Sequence, residues 1–321
     1  MHSAATKNYS SLPRSPRLAE PIHRLSSRTS TRIGLLAGWG RYPIVVAEAL
    51  VKQGYEVCGL GVKGHADPAL ADICSEFAWI GVGRLGYAVR CFRRWDVHQA
   101  TMAGKIHKFQ LFQPWAMVKH LPDWRTFRRF AQHFFFAKKD RKDDTLLMAV
   151  VDEFASGGVS FCPATDFAPE LLVKFGLITR RGPTPAERKD IEFGWNIARE
   201  MGRMDIGQSV AIKRQATIAV EAIEGTDLCI ERAGQLCRAG GFTVVKVAKP
   251  HQDMRFDVPT IGLGTLETMT RAGASCLAIE AGRTIILDEP RLIEYANEHR
   301  LSIVSLNSDA RFPPEVPPED D

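Results

Sequence analysis

Residues 33–62 read I-G-L-L-A-G-W-G-R-Y-P-I-V-V-A-E-A-L-V-K-Q-G-Y-E-V-C-G-L-G-V, and their punctuation decides the fold class. Ile33 to Ala37 is a short apolar run closed by glycine, which predicts a buried strand. Pro43 to Gln53 carries proline in its first turn, where a missing N–H costs nothing, and stops at Gly54, as a helix does. Tyr55 to Val62 returns to a strand pattern. Strand, helix and strand in this order form a β-α-β unit, whose two strands lie parallel.

The alternation continues outward. Phe77 to Val82 and Val97 to Ala103 supply two further strands, with a helix over Leu85 to Trp95 between them. The pattern predicts an α/β fold that opens with a Rossmann-like parallel sheet over residues 32–165, helices on both faces. Ligands on such sheets sit at the carboxyl ends of the strands. Two glycine turns fall there, Gly38-Trp39-Gly40 after the first strand and Ala103-Gly104 after the fourth. A missing Cβ lets backbone N–H groups approach a phosphate or a sugar. The dinucleotide fingerprint is not completed, because Pro43 stands where its third glycine belongs; this argues against a nicotinamide oxidoreductase.

A helix is expected from Asp143-Asp144 to Ser156, its two acids either complementing the helix dipole or serving a site. A polar connector with Pro163, Pro169 and Arg180-Arg181-Gly182-Pro183 follows, and the domain boundary is placed near Thr165. Residues 166–309 then read as a second α/β domain. Helices are expected over Pro185 to Arg203, Cys229 to Arg238, Thr265 to Ala272 and Pro290 to His299. Strands are expected over Ser209 to Lys213, Ala216 to Ala222, Cys276 to Glu280, Thr284 to Asp288 and Ser302 to Leu306. Thr226 or Asp227 is a candidate helix cap. Residues 1–31, rich in Ser and Arg with Glu20 their single acid, read as a disordered extension, and residues 310–321 as a disordered tail.

Composition sets the outer limits. A chain of 321 residues, 45% hydrophobic and 25% charged, has material for two ordinary cores. No apolar run reaches the ~18 residues that span a bilayer. No signal-peptide core is seen, which predicts a cytoplasmic protein. Seven cysteines without a C-x-x-C pair predict reduced core residues and neither disulfides nor a zinc site. A formal charge of +5 is modest and does not point to nucleic acid. Between Lys105 and Lys142, however, Trp115, Trp124, Phe127, Phe130 and Phe134-Phe135-Phe136 interleave with Lys108, Lys119, Arg125, Arg128, Arg129, Lys138 and Lys139. Three readings stay open: a helix in a membrane interface, a surface that stacks nucleic-acid bases, or amphipathic helices whose rings belong to the core.

The chemistry converges on Val244 to Gly264, V-V-K-V-A-K-P-H-Q-D-M-R-F-D-V-P-T-I-G-L-G. A strand over Val244 to Ala248 is stopped by Pro250. The loop beyond it carries Gln252, Asp253, Arg255 and Asp257 before Pro259-Thr260 turns the chain back. With Lys246 and Lys249, this is the mixture that holds a cation and a polyanion together. A solvated loop with ordinary surface ion pairs is the alternative. G-x-S-x-G, H-E-x-x-H and G-x-x-x-x-G-K-[ST] are all absent, which leaves carboxylate-bound Mg²⁺ bridging substrate phosphates as the available hydrolytic chemistry.

The wording K-x-x-K-P-x-Q-D-x-R-x-D-x-P-T-I-G closely resembles the signature of the LpxI family, the UDP-2,3-diacylglucosamine pyrophosphatases of lipid A synthesis. Gly34-Leu35-Leu36-Ala37-Gly38-Trp39-Gly40-Arg41-Tyr42-Pro43 resembles the family's opening, except that Trp39 and Arg41 stand where it has small residues. Lys142 to Leu147, Asp205-Ile206-Gly207-Gln208 and Val220 to Asp227 are similar to its further motifs. The resemblance implies two domains with the active site in the cleft between them. It implies Mg²⁺-dependent hydrolysis of UDP-2,3-diacylglucosamine to UMP and 2,3-diacylglucosamine 1-phosphate (lipid X), by a cytoplasmic enzyme peripheral to the inner membrane. Asp257 matches the family's essential aspartate and becomes the candidate metal ligand or water activator. Lys246, Lys249 and Arg255 would neutralise the diphosphate, Gln208 and Thr226 would hold sugar or phosphate, and Gly40, Arg41, Ala103 and Gly104 would line the N-terminal side. A non-catalytic lipid-binding protein is the competing class.

Overall fold

The computed structural model describes residues 32–105, 143–250, 252–255 and 257–313. The extension at 1–31 and the basic aromatic stretch 106–142 lie outside the described residues. Strands β1 (Arg32–Ala37), β2 (Glu56–Val62), β3 (Glu76–Ile80), β4 (Gln99–Ala103) and β5 (Ser160–Phe161) form one parallel sheet in the order β3-β2-β1-β4-β5. The order reverses between β1 and β4, which opens a crevice at the Gly38 and Gly104 turns. Alternate residues of β1 feed opposite faces. Ile33, Leu35 and Ala37 pack with helices α1 (Tyr42–Lys52) and α2 (Leu70–Ile73), whereas Leu36 joins the core under α3 (Leu85–Arg94) and α4 (Asp143–Ser156).

The first domain runs further than the expected boundary at Thr165. Ala164, on α5 (Ala164–Phe167), belongs to its core, and Phe167 and Leu171 pack against that core. The first backbone bond to the second half is that of Val173 N–H to the Thr284 carbonyl, 2.9 Å. The connector reads as a linker because its apolar residues fall in elements of only three or four residues, too short to show a helical or strand period.

The second half supplies β6 (Gly176–Leu177), α6 (Pro185–Arg203), β7 (Ser209–Lys213), β8 (Ala216–Val220), α7 (Thr226–Leu236) and β9 (Phe242–Lys246). After these come β10 (Thr260–Ile261), α8 (Leu263–Ala272), β11 (Ala274–Glu280), β12 (Ile285–Ile286), α9 (Glu289–Glu298) and β13 (Ser302–Leu306). Six of the strands form a mixed sheet, β6-β13-β11-β9-β7-β8. The strand expected over Thr284 to Asp288 is not in it. Only Ile285–Ile286 pair, with β10, because Asp288 turns the chain at φ 49° into α9. Helix α6 covers one face through Ile191, Trp195 and Ala198, and α7, α8 and α9 cover the other. The tail is ordered further than expected: Ala310 and Phe312 pack on the α6 side, and the Arg188 guanidinium lies 5.0 Å over the Phe312 ring. All seven cysteines are free thiols.

Two local devices matter below. Thr184 and Glu187 form a reciprocal capping box at the start of α6, with Pro185 in its first turn. Burial raises the Glu187 carboxyl, but hydrogen bonds from Arg181, Ser275 and the Thr184 N–H outweigh it and bring it down to about 2. A folded value below the ordinary 4.5 means stability that is present above pH 4.5 and lost as pH falls towards 2. Glu187→Gln is therefore expected to cost on the order of 2 kcal/mol at neutral pH and to flatten the acid side of the stability curve. Urea unfolding at a series of pH values measures both. The second device is the β7–β8 turn, where Arg214 (φ 51°) and Gln215 (φ 58°) both adopt left-handed backbone. The buried Asp190 carboxylate of α6 accepts both their N–H groups, at 3.1 and 2.6 Å.

Candidate active site

Strand β9 ends at Lys246, which pairs in register with Ser209 on β7 and Ile279 on β11. Because β7 and β8 are antiparallel, the chain entering Ser209 and the chain leaving Val220 meet at this same edge. They meet closely: a Cβ on Gly207 would stand 2.1 Å from the Glu221 carbonyl oxygen, so only glycine fits.

Lys246 is buried, 6% exposed. Its ammonium donates to the Thr226 hydroxyl (3.2 Å) and the Thr260 carbonyl (3.1 Å). An ammonium has three N–H groups, so one has no partner among the described residues. Burial pushes its pKa down and Lys105 adds to that, while Glu221, Asp227 and Asp257 pull it back up. Those four groups bring both domains to one edge, since Lys105 follows the Gly104 turn of the first. Gln208 lies beside it, with its backbone N–H 3.4 Å from Glu221 and its Oε1 buried without a partner among the described residues. The Gln252 Nε2 is likewise buried and unpartnered, while its Oε1 accepts the Lys249 N–H at 2.9 Å.

The loop beyond is stapled at its root. Buried Glu280 accepts the Ala248 N–H at 2.9 Å, and Arg283 donates to the Lys249 carbonyl at 3.2 Å. Lys249 pairs with Asp205 at 2.7 Å. Arg255 grips Asp253 through Nε (2.9 and 3.0 Å) and Nη2 (2.5 Å), and its Nη2 also reaches the Met148 sulfur of the first domain. Ordinary ion pairing thus describes Lys249 and Arg255. It does not describe Asp257, which is exposed and whose side chain has no hydrogen bond or ion pair among the described residues. His251 lies outside the described residues.

On the N-terminal side the two glycine turns clasp each other. Trp39 and Lys105 exchange backbone hydrogen bonds of 2.7 and 3.0 Å, and Gly38 N–H meets the Ala103 carbonyl at 2.8 Å. Gly104 has φ 89°, and a Cβ there would be 2.8 Å from the Trp39 carbonyl. Gly40, at φ 105°, lies beside open space, and Trp39 is exposed. Arg41 pairs with Asp288 of the second domain at 3.1 to 3.3 Å and with Glu48 at 3.5 Å.

One expectation changes. Gly225, and neither Thr226 nor Asp227, caps α7. The Thr226 hydroxyl is used inside the protein, since it donates to Glu221 (3.1 Å) and lies against Lys246 and Ser209. A direct hydrogen bond from it to substrate would require one of these to break. Sequence reasoning missed Lys105, Ser209, Glu221 and Glu280. The available signal was an acid closing an apolar strand, Glu221 after Ala219-Val220 and Glu280 after Ala278-Ile279.

For Mg²⁺ the donor set is sparse. Among the described residues no three His, Cys, Asp or Glu side chains converge, and Asp253 is committed to Arg255. One free carboxylate, Asp257, suits an ion completed by substrate phosphates and does not suit an all-protein cage.

Residues 32–171 match the family model described as the LpxI N-terminal domain, and residues 174–304 match that of the LpxI C-terminal domain. A protein of Caulobacter vibrioides (strain ATCC 19089 / CIP 103742 / CB 15), named UDP-2,3-diacylglucosamine pyrophosphatase LpxI, is 29% identical over 287 residues. That alignment covers 87% of this chain and 99% of the relative.

Proposed function

Since the chain belongs to the LpxI family, with both domain models matched in order, we propose that it hydrolyses the diphosphate of UDP-2,3-diacylglucosamine, yielding UMP and 2,3-diacylglucosamine 1-phosphate for lipid A synthesis. The observation that carries the mechanism is the contrast between Asp257, a carboxylate unpaired among the described residues, and the paired charges around it. Hydrolysis of an anhydride needs a water oriented towards phosphorus and donors placed where charge develops. Asp257 orients that water, or would be the residue that holds Mg²⁺ when the ion is bound. Lys246 spends its remaining N–H on a phosphate oxygen, and Lys105 adds positive charge from the other domain. Gln208 and Gln252 offer one acceptor and one donor to the nucleoside or sugar. Water breaks the P–O–P bond, its oxygen staying on one phosphorus while the bridging oxygen leaves on the other. When bound, Mg²⁺ would neutralise diphosphate charge.

Purified protein incubated with UDP-2,3-diacylglucosamine is expected to release UMP with Mg²⁺ and not with excess chelator. Release that ignores the chelator rejects the metal, and no release rejects the hydrolase in favour of a lipid-binding protein.

A substrate with two acyl chains places the work at a membrane surface. No helix among the described residues is long and apolar enough to cross a bilayer, so association would be peripheral. The basic aromatic stretch carries the contact in this reading. Arg128→Glu with Arg129→Glu should weaken binding to anionic vesicles by ~1 kcal/mol per charge. Unchanged partitioning in a flotation assay would assign those side chains elsewhere.

A further inference from the structure

We propose that Glu221 is the positioning residue of this edge: it turns the Thr226 hydroxyl so that its lone pairs face the Lys246 ammonium, and so fixes where that ammonium meets the diphosphate. The hydrogen-bond directions follow from chemistry. Glu221 is a buried carboxylate, 7% exposed, and a carboxylate only accepts. Thr226 must therefore give its one hydroxyl hydrogen to Glu221 Oε1, at 3.1 Å. Lys246 can only donate, so its 3.2 Å contact with Thr226 Oγ1 uses one lone pair. Ser209 Oγ, also 3.2 Å from Thr226 Oγ1, must then donate into the other. One carboxylate thus sets the direction of every bond in the chain from Lys246 through Thr226 and Ser209. Its second oxygen faces the Gln208 N–H, so the residue with the orphaned amide oxygen is tied to the same anchor.

Charge points the same way. The charged groups around Lys246 are Glu221 at the end of β8, Lys105 after β4, Asp227 on α7 and Asp257 in the loop. Glu221 opposes the cost of burying the ammonium more than the other two acids do. It also reaches Lys246 through a bond chain, which neither of them does among the described residues. Asp227 is turned to the Thr265 hydroxyl, at 2.9 Å.

The inference rests on the hydrolase reading for its kinetic consequence but not for its structural one. Glu221→Gln keeps the shape and removes the charge. With it, turnover should fall about tenfold while KM changes less, and the alkaline limb of the pH–rate profile should move to lower pH. The Lys246 ammonium, followed by NMR in ¹⁵N-lysine-labelled protein and assigned with Lys246→Met, should titrate at lower pH than in the parent. Glu221→Asp, which restores the charge, should recover part of both shifts. A folded Glu221→Gln protein whose Lys246 titrates like the parent's, with only its melting temperature lowered, overturns the proposal. If the parent does not hydrolyse UDP-2,3-diacylglucosamine, the functional reading falls, and the NMR titration still decides the role of Glu221.

Discussion

Asp257→Asn should lower turnover by on the order of 10²-fold or more while leaving the melting temperature near that of the parent. The substitution preserves size and hydrogen-bonding capacity and deletes one negative charge. The structure separates the two outcomes cleanly, because the Asp257 side chain has no partner among the described residues whose loss would be felt on folding. Arg255, its nearest cation in sequence, is satisfied by Asp253. Only the Asp257 backbone N–H is engaged, with the Asp253 carbonyl at 3.0 Å, and asparagine keeps that bond. Substrate should still bind, and slightly better if the carboxylate repels the diphosphate more than any bound metal attracts it. Kinetics and a melting curve on one preparation settle it. A folded variant with parental turnover removes Asp257 from the mechanism.

Lys246→Met is the second large expectation: kcat/KM should fall by on the order of 10²-fold, as for a lost donor to developing charge. Its effect on stability is a difference between two opposed terms. Methionine removes an ammonium whose burial is unfavourable, but it also removes the positive charge that faces buried Glu221 through the Thr226 hydroxyl. The net change should stay within about 2 kcal/mol, smaller than the catalytic loss. Neutralising Lys249, already bound to Asp205 at 2.7 Å and partly exposed, should cost less. If Lys249→Met proved as damaging as Lys246→Met, the diphosphate would have to lie further out along the loop.

The first sheet was legible because β1, α1 and β2 follow one another with glycine and proline at their ends, and local punctuation is what a sequence displays best. The second sheet was legible as strands and not as an order, since β9 pairs β7 antiparallel and β11 parallel, and pairing is a long-range choice. The loop after Lys246 was singled out by its wording, yet nothing in that wording says that Arg255 turns back on Asp253 and leaves Asp257 without a partner among the described residues. Side-chain partnership depends on which backbone oxygens and carboxylates happen to be near. The N-terminal turns were placed correctly as glycine turns, but Arg41 faces an acid almost 250 residues away, Asp288. That contact exists only because two domains meet. Glu221 escaped notice for a related reason: a buried carboxylate at the end of an apolar strand looks like a strand boundary until its partners are seen.

The Asp190 turn has a consequence for anyone who would engineer this protein. A β-hairpin transmits alignment along its length, so the turn that joins β7 to β8, together with the register shift between Ala211 and Ile212, determines which residues arrive opposite each other at the far end, where Ser209 and Glu221 stand. That turn is built from an arginine and a glutamine in a backbone shape that suits asparagine and glycine better, and a helix carboxylate holds it there. Rewriting residues 214 and 215 as Asn-Gly would relieve local strain and make the hairpin less dependent on its helix. It is a thermostabilising edit at the opposite end of the hairpin from Ser209 and Glu221, and it keeps the turn shape on which their alignment depends.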